Sequence, residues 1–348
     1  MALLYIDSFD HYLTADILKK WTHVGTGVTI GPTAGRHSSA GVAFPSNSSA
    51  YVRRPLAPVD NTTVIMGFSY HRTTAPSNSG FAEVMTQGGT NQLMLCLGDS
   101  GVMYLSRGGS GGNALYPGGT IVASGTVPLT TGAVYYIEWK VFLHDVAGTT
   151  EVRINGIADP GLTWVGDTMN STTPGWGAVQ FGNWSAFQWN MDDLYILDGS
   201  GGAPWNNFLG DCRVDARLPT GPGAQAQWTP LTGANWQNVD EPTPNDDTDY
   251  CSAATVGLTD SHAFQDAPVV GAAIYGVQHC LNLKKTDAGG CLVQPIIRAG
   301  VTNYPGASIS PSTVYGYGFQ MAQLNPATGV AWTEAAFNAA EFGYTRVG

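Results

Sequence analysis

The 348-residue sequence predicts an all-β fold, in which a jelly-roll sandwich is followed by a smaller antiparallel β-domain. Short runs of strand-forming residues recur along the chain, and Gly, Pro, Asn and Asp separate them. No long segment shows the 3.6-residue period of an amphipathic helix. Charged residues make up only 12% of the chain, against about 25% in an average protein, which is typical of a neutral, hydroxyl-rich surface.

The first half of the chain reads as a series of strands. The clearest predicted strands are Val64–His71, Phe81–Met85, Gln92–Leu97, Val102–Ser106, Val134–Phe142 and Thr150–Ile154. Asn155-Gly156 then gives a strong signal for a tight hairpin turn. The strands are too numerous for an immunoglobulin-type domain and lack its Cys…Trp…Cys frame, so a jelly-roll sandwich of two packed sheets fits better.

The stretch from Trp189 to Gly202 marks the end of this first unit. Leu194–Leu197 is an apolar run that predicts the last strand, and the glycines at 199, 201 and 202 favour a turn after it. We therefore predict domains at 1–202 and 203–348. Asp192 and Asp193 are adjacent, so on a regular strand their side chains point to opposite faces and do not line one cleft.

The second unit is predicted to contain further strands and one helix. The expected strands are Cys212–Pro219, Asp260–Phe264, Gly271–Leu283, Gly290–Arg298 and Thr313–Met321. The segment Thr333–Phe342 is rich in alanine and predicts a helix, with Thr333 as the capping residue and Glu334 in the first turn.

The charge and the termini exclude several classes of function. The net charge is −11, and the 15 Lys and Arg residues cluster only in pairs, which argues against a nucleic-acid partner. No apolar run approaches the roughly 18 residues of a membrane span, so no membrane insertion is expected. The N-terminus has no basic region before its first acid, which predicts synthesis and assembly in the cytoplasm. The five cysteines have no C-x-x-C spacing and are expected to be free thiols.

No residue set carries a catalytic motif. Retaining glycosidases with this type of fold present E-x-D-x-x-E along one strand, and the sequence contains no such pattern. Glu138 stands alone on its strand and is expected to be a surface partner of Lys140 or Arg153. The segment Gly108–Gly112 matches the letters G-x-S-x-G, but it is expected to be a flexible, glycine-rich hairpin loop rather than a nucleophile elbow. We therefore predict no catalytic residues and a protein that is not an enzyme.

Two kinds of binding site are weighed instead. The acids Asp246, Asp247 and Asp249 form the densest oxygen-rich loop and are candidate Ca²⁺ ligands, although the loop lacks the glycine and distal glutamate of an EF-hand, so a solvated loop is favoured. No other cofactor is expected. For sugars, the candidates are aromatic and amide side chains in glycine-flanked or junction loops, namely Trp176, Trp184, Trp205 and Asn206. The alternative is that these tryptophans pin loops or pack against a neighbouring subunit.

Several short segments carry a resemblance to a known group of proteins. They are Tyr5–Tyr12, Tyr135–Val141, Val152–Gly156, Met191–Asp198 and Asn325–Thr333. In order and character these resemble the concanavalin-A-like, laminin-G-like jelly rolls found in structural proteins of tailed bacteriophages. The resemblance covers nearly the whole chain, although each motif is short.

The resemblance implies a virion structural protein, made in the host cytoplasm and placed in the virion. Its expected role is a tail-fibre, tail-associated or receptor-binding subunit that contacts host-surface polysaccharide. The implied partners are other virion proteins and further copies of the chain, as a homotrimer or another symmetric homo-oligomer. A capsid-decorating or head-fibre protein is the first alternative. A glycan-cleaving enzyme of the same fold is the alternative from another class.

Overall fold

The computed structural model describes residues 2–56, 61–110, 118–183 and 187–348. The chain folds into two compact units, the first from Met1–Asp10 and Trp21–Val214 and the second from His11–Lys20 and Asp215–Gly348. Both units are built from antiparallel sheets. The predicted all-β fold, a sandwich followed by a smaller antiparallel β unit, is confirmed. Among the described residues, no helix has the length and apolar character that crossing a membrane requires.

The first unit contains two large sheets. In chain order its strands are β1 (Leu3–Asp7), β2 (His23–Val24), β3 (Thr29–Gly31), β4 (Gly41–Phe44), β5 (Tyr51–Pro55), β6 (Thr63–Arg72), β7 (Ser79–Met85), β8 (Asn91–Leu97), β9 (Val102–Ser110), β10 (Gly118–Pro128), β11 (Val134–Phe142), β12 (Gly148–Ile154), β13 (Ile157–Ala158), β14 (Trp164–Gly166), β15 (Ala178–Gly182) and β16 (Trp189–Leu197). Sheet I has the order β13-β12-β11-β6-β16-β4-β3, with β1 paired to β16 and β14 to β12. Sheet II has the order β10-β9-β8-β7-β15-β5-β2.

Aromatic side chains from the two sheets meet between them. Phe68 of sheet I lies 5.2 Å from Phe181 of sheet II, measured between ring centroids, and Trp189 of sheet I lies 5.7 Å from Phe81 of sheet II. All four side chains are fully buried. Each large aromatic ring removes a large apolar area from water, so this layer is the main stabilising contact of the sandwich.

The second unit has one larger sheet and two small ones. Its strands are β17 (Pro219–Ala226), β18 (Thr229–Pro230), β19 (Cys251–Ser252), β20 (Thr259–Phe264), β21 (Val277–Leu283), β22 (Val293–Ala299), β23 (Thr302–Pro305), β24 (Gly316–Ala322) and β25 (Glu341–Arg346). Sheet III has the order β17-β20-β25-β22-β23, while β18 pairs with β19 and β21 with β24. Its core includes Ile297, Trp332 and Phe342.

Helical segments are short in both units. They are α1 (Ile17–Lys20), α2 (Glu334–Asn338) and the 3₁₀ turns Thr14–Asp16, Pro160–Leu162, Asn235–Asn238 and Asp246–Thr248. Thr333 caps α2 as predicted, since its hydroxyl accepts a hydrogen bond from the Ala336 amide at 3.1 Å. The helix is shorter than the predicted Thr333–Phe342, because Glu341–Arg346 pairs as β25 between β20 and β22.

Two further local predictions have different outcomes. The Asn155-Gly156 hairpin is confirmed, with φ of 50° and 80° at the two residues, the left-handed conformation that this turn requires. The predicted strand Cys212–Pro219 is wrong, because residues 212–218 pair with no strand and β17 begins only at Pro219.

A β-bulge in β16 overturns the expectation that Asp192 and Asp193 point apart. Asp192 pairs with Ser69 and Tyr195 with Gly67, so β16 has one more residue than β6 over this interval. Asp193 adopts φ of 52°, in the left-handed region. The bulge breaks the two-residue period, and both carboxylates meet Arg36: Asp192 accepts from its backbone amide at 2.8 Å and Asp193 from Nε at 2.7 Å.

Arg36 joins this bulge to residues 205–214, which we call the strap. Its Nη1 donates to the Asp211 carboxylate and its Nη2 to the Cys212 carbonyl, each at 2.6 Å. The guanidinium also lies 4.8 Å from the centroid of the Tyr136 ring. The Val214 amide donates to Asp193 at 2.7 Å. The strap is therefore part of the first unit, which extends to Val214 rather than ending at the predicted 202.

Glu138 lies beneath the strap, so its predicted surface pairing with Lys140 or Arg153 is wrong. Its side chain is 0% exposed. One carboxylate oxygen accepts from the Tyr195 hydroxyl at 2.6 Å and from the Gly210 amide at 2.8 Å. Lys140 donates instead to the Asn206 carbonyl of the strap at 3.3 Å. A buried carboxylate with these donors stabilises the strap and is closed to a substrate.

Gly67 makes room for Tyr195 in this arrangement, which gives a stability prediction. A Cβ at position 67 would lie 2.2 Å from the Tyr195 ring, which the bond to Glu138 holds in place. We expect Gly67→Ala to lower the free energy of unfolding by about 2 kcal/mol or more, measured by urea denaturation. Gly202→Ala is the matched control, because a Cβ there meets nothing within 4 Å. Equal stability of the two variants would contradict the packing described.

Candidate functional site

The predicted sugar-binding residues do not form one site. Trp176 is 1% exposed, and its indole Nε1 donates to the Thr63 carbonyl at 2.8 Å, so its ring offers no open face for stacking. Trp205 is also buried, at 8% exposure. Asn206 is exposed, in the strap, and its carbonyl accepts from Lys140. Trp184 lies outside the described residues.

The acidic loop predicted for Ca²⁺ is neutralised by lysines. Lys19 lies 2.6 Å from the Asp246 carboxylate, and Lys284 forms an ion pair with Asp247. The Tyr315 hydroxyl adds a hydrogen bond to Asp247 at 3.2 Å. The acids therefore do not gather around a common point with Asp249, and no group of metal-ligating side chains occurs in the described part of the chain. The Ca²⁺ candidates are not supported by this geometry.

A row of side chains, polar except for Met94, crosses the outer face of sheet II, the face turned away from the sandwich core. Phe181 packs inward against Phe68, so Gln180, its neighbour on β15, points outward. Directly paired residues on adjacent strands share a face. The register therefore places the following residues in one row, which we call the outer row: His23, Arg53, Gln180, Glu83, Met94 and Ser106.

Three members of the outer row are linked through side chains. Arg53 Nε donates to Gln180 Oε1 at 2.7 Å, and Gln180 Nε2 donates to Glu83 Oε2 at 3.5 Å. Gln180 and Glu83 are buried, at 4% and 2% exposure, while Arg53 is half-buried and His23 is exposed. The row is thus closed at its centre and open at the end formed by β5 and β2.

Glu83 is a carboxyl group in an environment that favours its neutral form. Burial raises the pKa of Glu83 to about 8, against smaller opposing effects of the Asn91 amide and the Arg53 charge. At neutral pH the carboxyl group is therefore mainly protonated, and it can donate a hydrogen bond or a proton. A carboxyl with a raised pKa on a polar sheet face is the kind of group that active sites use as a general acid.

A cleft of about 200 Å³ lies where the β7–β8 turn faces the loop before β15. The lining residues are mostly hydroxyl-bearing or backbone-exposing: Thr86, Gln87, Gly88, Thr90, Ser171, Thr173, Pro174, Gly175 and Trp176. An engineered cavity of about 150 Å³ holds a benzene molecule, so this cleft accommodates one six-membered ring. Trp176, the one predicted sugar-binding residue here, contributes to the wall but is held by Thr63.

Gln92 fixes the loop wall of this cleft. Its side chain is fully buried. Its Oε1 accepts from the backbone amides of Asn170 and Ser171 at 2.8 and 3.0 Å, and its Nε2 donates to the carbonyls of Thr173 and Gly175 at 3.1 and 3.3 Å. Four bonds from one buried amide hold the loop in a single conformation, so the cleft is preformed.

Sequence reasoning overlooked the outer row and the cleft. Glu83 lies within a strand whose seven residues are all buried. A single acid in an otherwise uncharged strand is the one feature of the sequence that could have pointed to this group. In the sequence, Arg53 forms one of the basic pairs, with Arg54. On a strand these two arginines face opposite sides, and Arg54 lies instead 5.0 Å from the centroid of the Tyr5 ring. Cross-strand register, which the sequence does not show, brings Arg53, Gln180 and Glu83 together.

Comparison with known proteins gives distant similarity only. No protein-family model and no curated protein matches the chain. Solved structures that it resembles include the cellulose-induced protein Cip1, at 22% identity and a TM-score of 0.37 over 51% of this chain and 91% of that one. An alginate lyase, Aly36B, matches at 13% identity and a TM-score of 0.36 over 56% and 97%. A Trypanosoma rangeli sialidase matches at 12% and 0.34 over 49% and 27%. This similarity is confined to the fold.

The same comparisons contradict the prediction that the chain is not an enzyme. Alginate lyases and sialidases are among the solved structures that it resembles. The prediction rested on the absence of one glycosidase motif, E-x-D-x-x-E, and that absence does not exclude catalysis by other residues on a β-sandwich. A non-enzymatic role is therefore not retained.

Glu83 gives a prediction about stability and pH. Its folded pKa of about 8 exceeds the unfolded value near 4.5, so between these pH values the folded state holds one more proton than the unfolded state. The stability that Glu83 contributes is therefore complete below pH 4.5 and is lost as the pH rises through 8. Glu83→Gln removes this loss. We expect its unfolding free energy, relative to wild type, to rise by more than about 1 kcal/mol between pH 5 and pH 8.

Urea denaturation at several pH values measures this difference. Burial also raises the pKa of Asp192, but that residue is present in both proteins and cancels in the comparison. Glu151→Gln, at a half-buried site paired with Arg153, is the control for the loss of one glutamate charge. A pH-independent difference for Glu83→Gln would show that Glu83 is ionised in the folded protein.

Proposed function

We propose that this protein recognises a polysaccharide through the cleft of its first unit, as a receptor-contacting subunit of a phage tail. The observation that carries the proposal is the preformed cleft, with hydroxyl and amide groups on both walls and room for one ring. Neutral sugars present hydroxyl groups in every direction, so they are bound by convergent donors and acceptors rather than by strong charge. The low charged fraction of the chain, 12%, fits such a ligand.

The placement in a phage tail is supported by the sequence resemblance alone. The segments that carry it include Tyr135–Val141 in β11 and Met191–Asp198, which contains the end of β16. Both lie in sheet I, opposite the sheet that carries the outer row. In this arrangement sheet I and the strap hold the unit together, and the edge of sheet II is the surface offered to the ligand.

A cleft-filling variant tests sugar recognition. A Cβ at Gly88 meets only the Thr86 hydroxyl, at 3.8 Å, so a larger side chain can be accommodated at this position of the cleft lining. We expect Gly88→Phe to reduce binding to polysaccharide at least about tenfold, measured by calorimetry or on a glycan array. Gly290→Phe is the control, because its position is open and lies in the second unit. Unchanged binding by Gly88→Phe would rule out the cleft.

The location in the particle has its own test. Antibodies against the purified protein should label the tails of intact virions, and the purified protein should have the mass of a symmetric oligomer. Labelling of the heads would favour the capsid-decorating alternative. A monomer that leaves virions unlabelled would contradict the phage assignment.

Glycan cleavage is a second candidate function, favoured by Glu83. Its carboxyl is mainly protonated at neutral pH and can act as a proton donor, but it is only 2% exposed, so cleavage requires the outer face of sheet II to open around Glu83. We expect Glu83→Gln to abolish any depolymerisation of polysaccharide, measured as new reducing ends, while Glu138→Gln should act through stability because Glu138 lies under the strap. Turnover that survives Glu83→Gln would exclude Glu83 as the acid.

A further inference from the structure

Arg53, a half-buried arginine of the first unit, forms no ion pair with an acid among the residues that the structure describes. Arg36, Arg107 and Arg153 each lie within ion-pair distance of an aspartate or glutamate. Arg53 donates its Nε to the neutral amide of Gln180, and none of the described carboxylates forms an ion pair with it. A half-buried guanidinium without a counterion retains its full charge in surroundings that screen it less than water does.

The nearest acid of the outer row does not cancel this charge at neutral pH. Glu83 is separated from Arg53 by Gln180, which bridges the two side chains. Since burial keeps Glu83 mainly protonated, the linked group of three side chains carries one positive charge. The chain as a whole has a net charge of −11, so this local positive charge stands out against an acidic background.

The guanidinium lies beside the β7–β8 turn, which forms one wall of the cleft. Gly89 has φ of 85°, and a Cβ at this position would lie 3.1 Å from Arg53 Nη1. Gly89 is flanked by Gly88 and Thr90, both of which line the cleft. The guanidinium carbon of Arg53 also lies 5.7 Å from the centroid of the Tyr51 ring, on the same strand. Nε is held by Gln180, and Nη1 lies next to Gly89, between two residues that line the cleft.

We propose that Arg53 and this cleft form a subsite for a sugar residue that carries a carboxylate, such as a uronic or sialic acid. The inference rests on the proposed recognition of a polysaccharide and names its chemical class. The planar guanidinium binds a carboxylate through two parallel hydrogen bonds, a geometry that lysine does not reproduce. The hydroxyl and amide groups of Thr90, Gln87 and Ser171 bind the remaining ring substituents.

Matched acidic and neutral sugars test this subsite directly. The probes are glucuronate, galacturonate, mannuronate and N-acetylneuraminate, each against the corresponding neutral sugar, with binding measured by calorimetry or by line broadening in NMR. We expect wild type to prefer at least one acidic probe by about tenfold, the effect of one charge-assisted contact. Arg53→Gln should remove the preference, and Arg53→Lys should restore only part of it. Lys285→Gln, which removes the same charge in the second unit, should leave it unchanged.

The possible results separate this inference from the proposal on which it rests. Binding of neutral and acidic probes with equal affinity would overturn the carboxylate subsite and leave recognition of polysaccharide standing. An acidic preference that survives Arg53→Gln would place the charge recognition elsewhere. Stronger binding of sulfated than of carboxylated sugars would overturn the choice of carboxylate. Failure of every sugar to bind would overturn both proposals. If Arg53→Gln does not fold, two other measurements decide whether Arg53 binds the carboxylate. They are the loss of acidic preference in Arg53→Lys and the displacement of the acidic sugar by acetate but not by chloride.

Discussion

The ion pair between Arg36 and Asp193 is the contact on which the position of the strap, and with it the burial of Glu138, depends. One guanidinium uses Nε on the bulged strand β16 and both terminal nitrogens on the strap. Asp193 in turn holds the amide of Val214, the last residue of the unit. Breaking such a buried pair by removing one partner leaves an uncompensated charge, which is costly, so the strap and the bulge are stable only together.

This network explains why the densest acidic stretch of the first unit is structural. Asp192, Asp193 and Glu138 are all buried, and each accepts bonds from backbone amides or from side chains that hold the strap. Donors that already satisfy a carboxylate do not favour proton transfer to a substrate. Glu83 takes no part in holding the strap: it accepts a hydrogen bond from the Gln180 side-chain amide, and burial raises its pKa to about 8, as burial also raises the pKa of Asp192.

The two sheets therefore have different roles in the proposed function. The outer face of sheet I is covered by the strap, and its polar groups are used internally. The outer face of sheet II carries a linked Arg53–Gln180–Glu83 group whose charge is not neutralised, beside a cleft that a buried glutamine holds open. Binding proteins commonly have a rigid scaffold on one side and a polar edge with preformed loops on the other. The loops recognise the ligand, and the packed strands position the loops.

The sequence by itself determined the fold class, most strand positions and the Asn155-Gly156 turn, because alternation and turn chemistry act over a few residues. It also indicated the cap of α2 at Thr333. It did not determine where the side chains of Asp192 and Asp193 point. One extra residue in β16 and the left-handed conformation of Asp193 interrupt the alternation of side chains along the strand. The burial of Glu138 and Trp176, the lysine pairing of Asp246 and Asp247, and the outer row depend on contacts between residues far apart in the chain. Only the tertiary structure decides these contacts, because strand register and the paths of the loops determine which side chains meet. The local sequence pattern carries no information about register or loop paths.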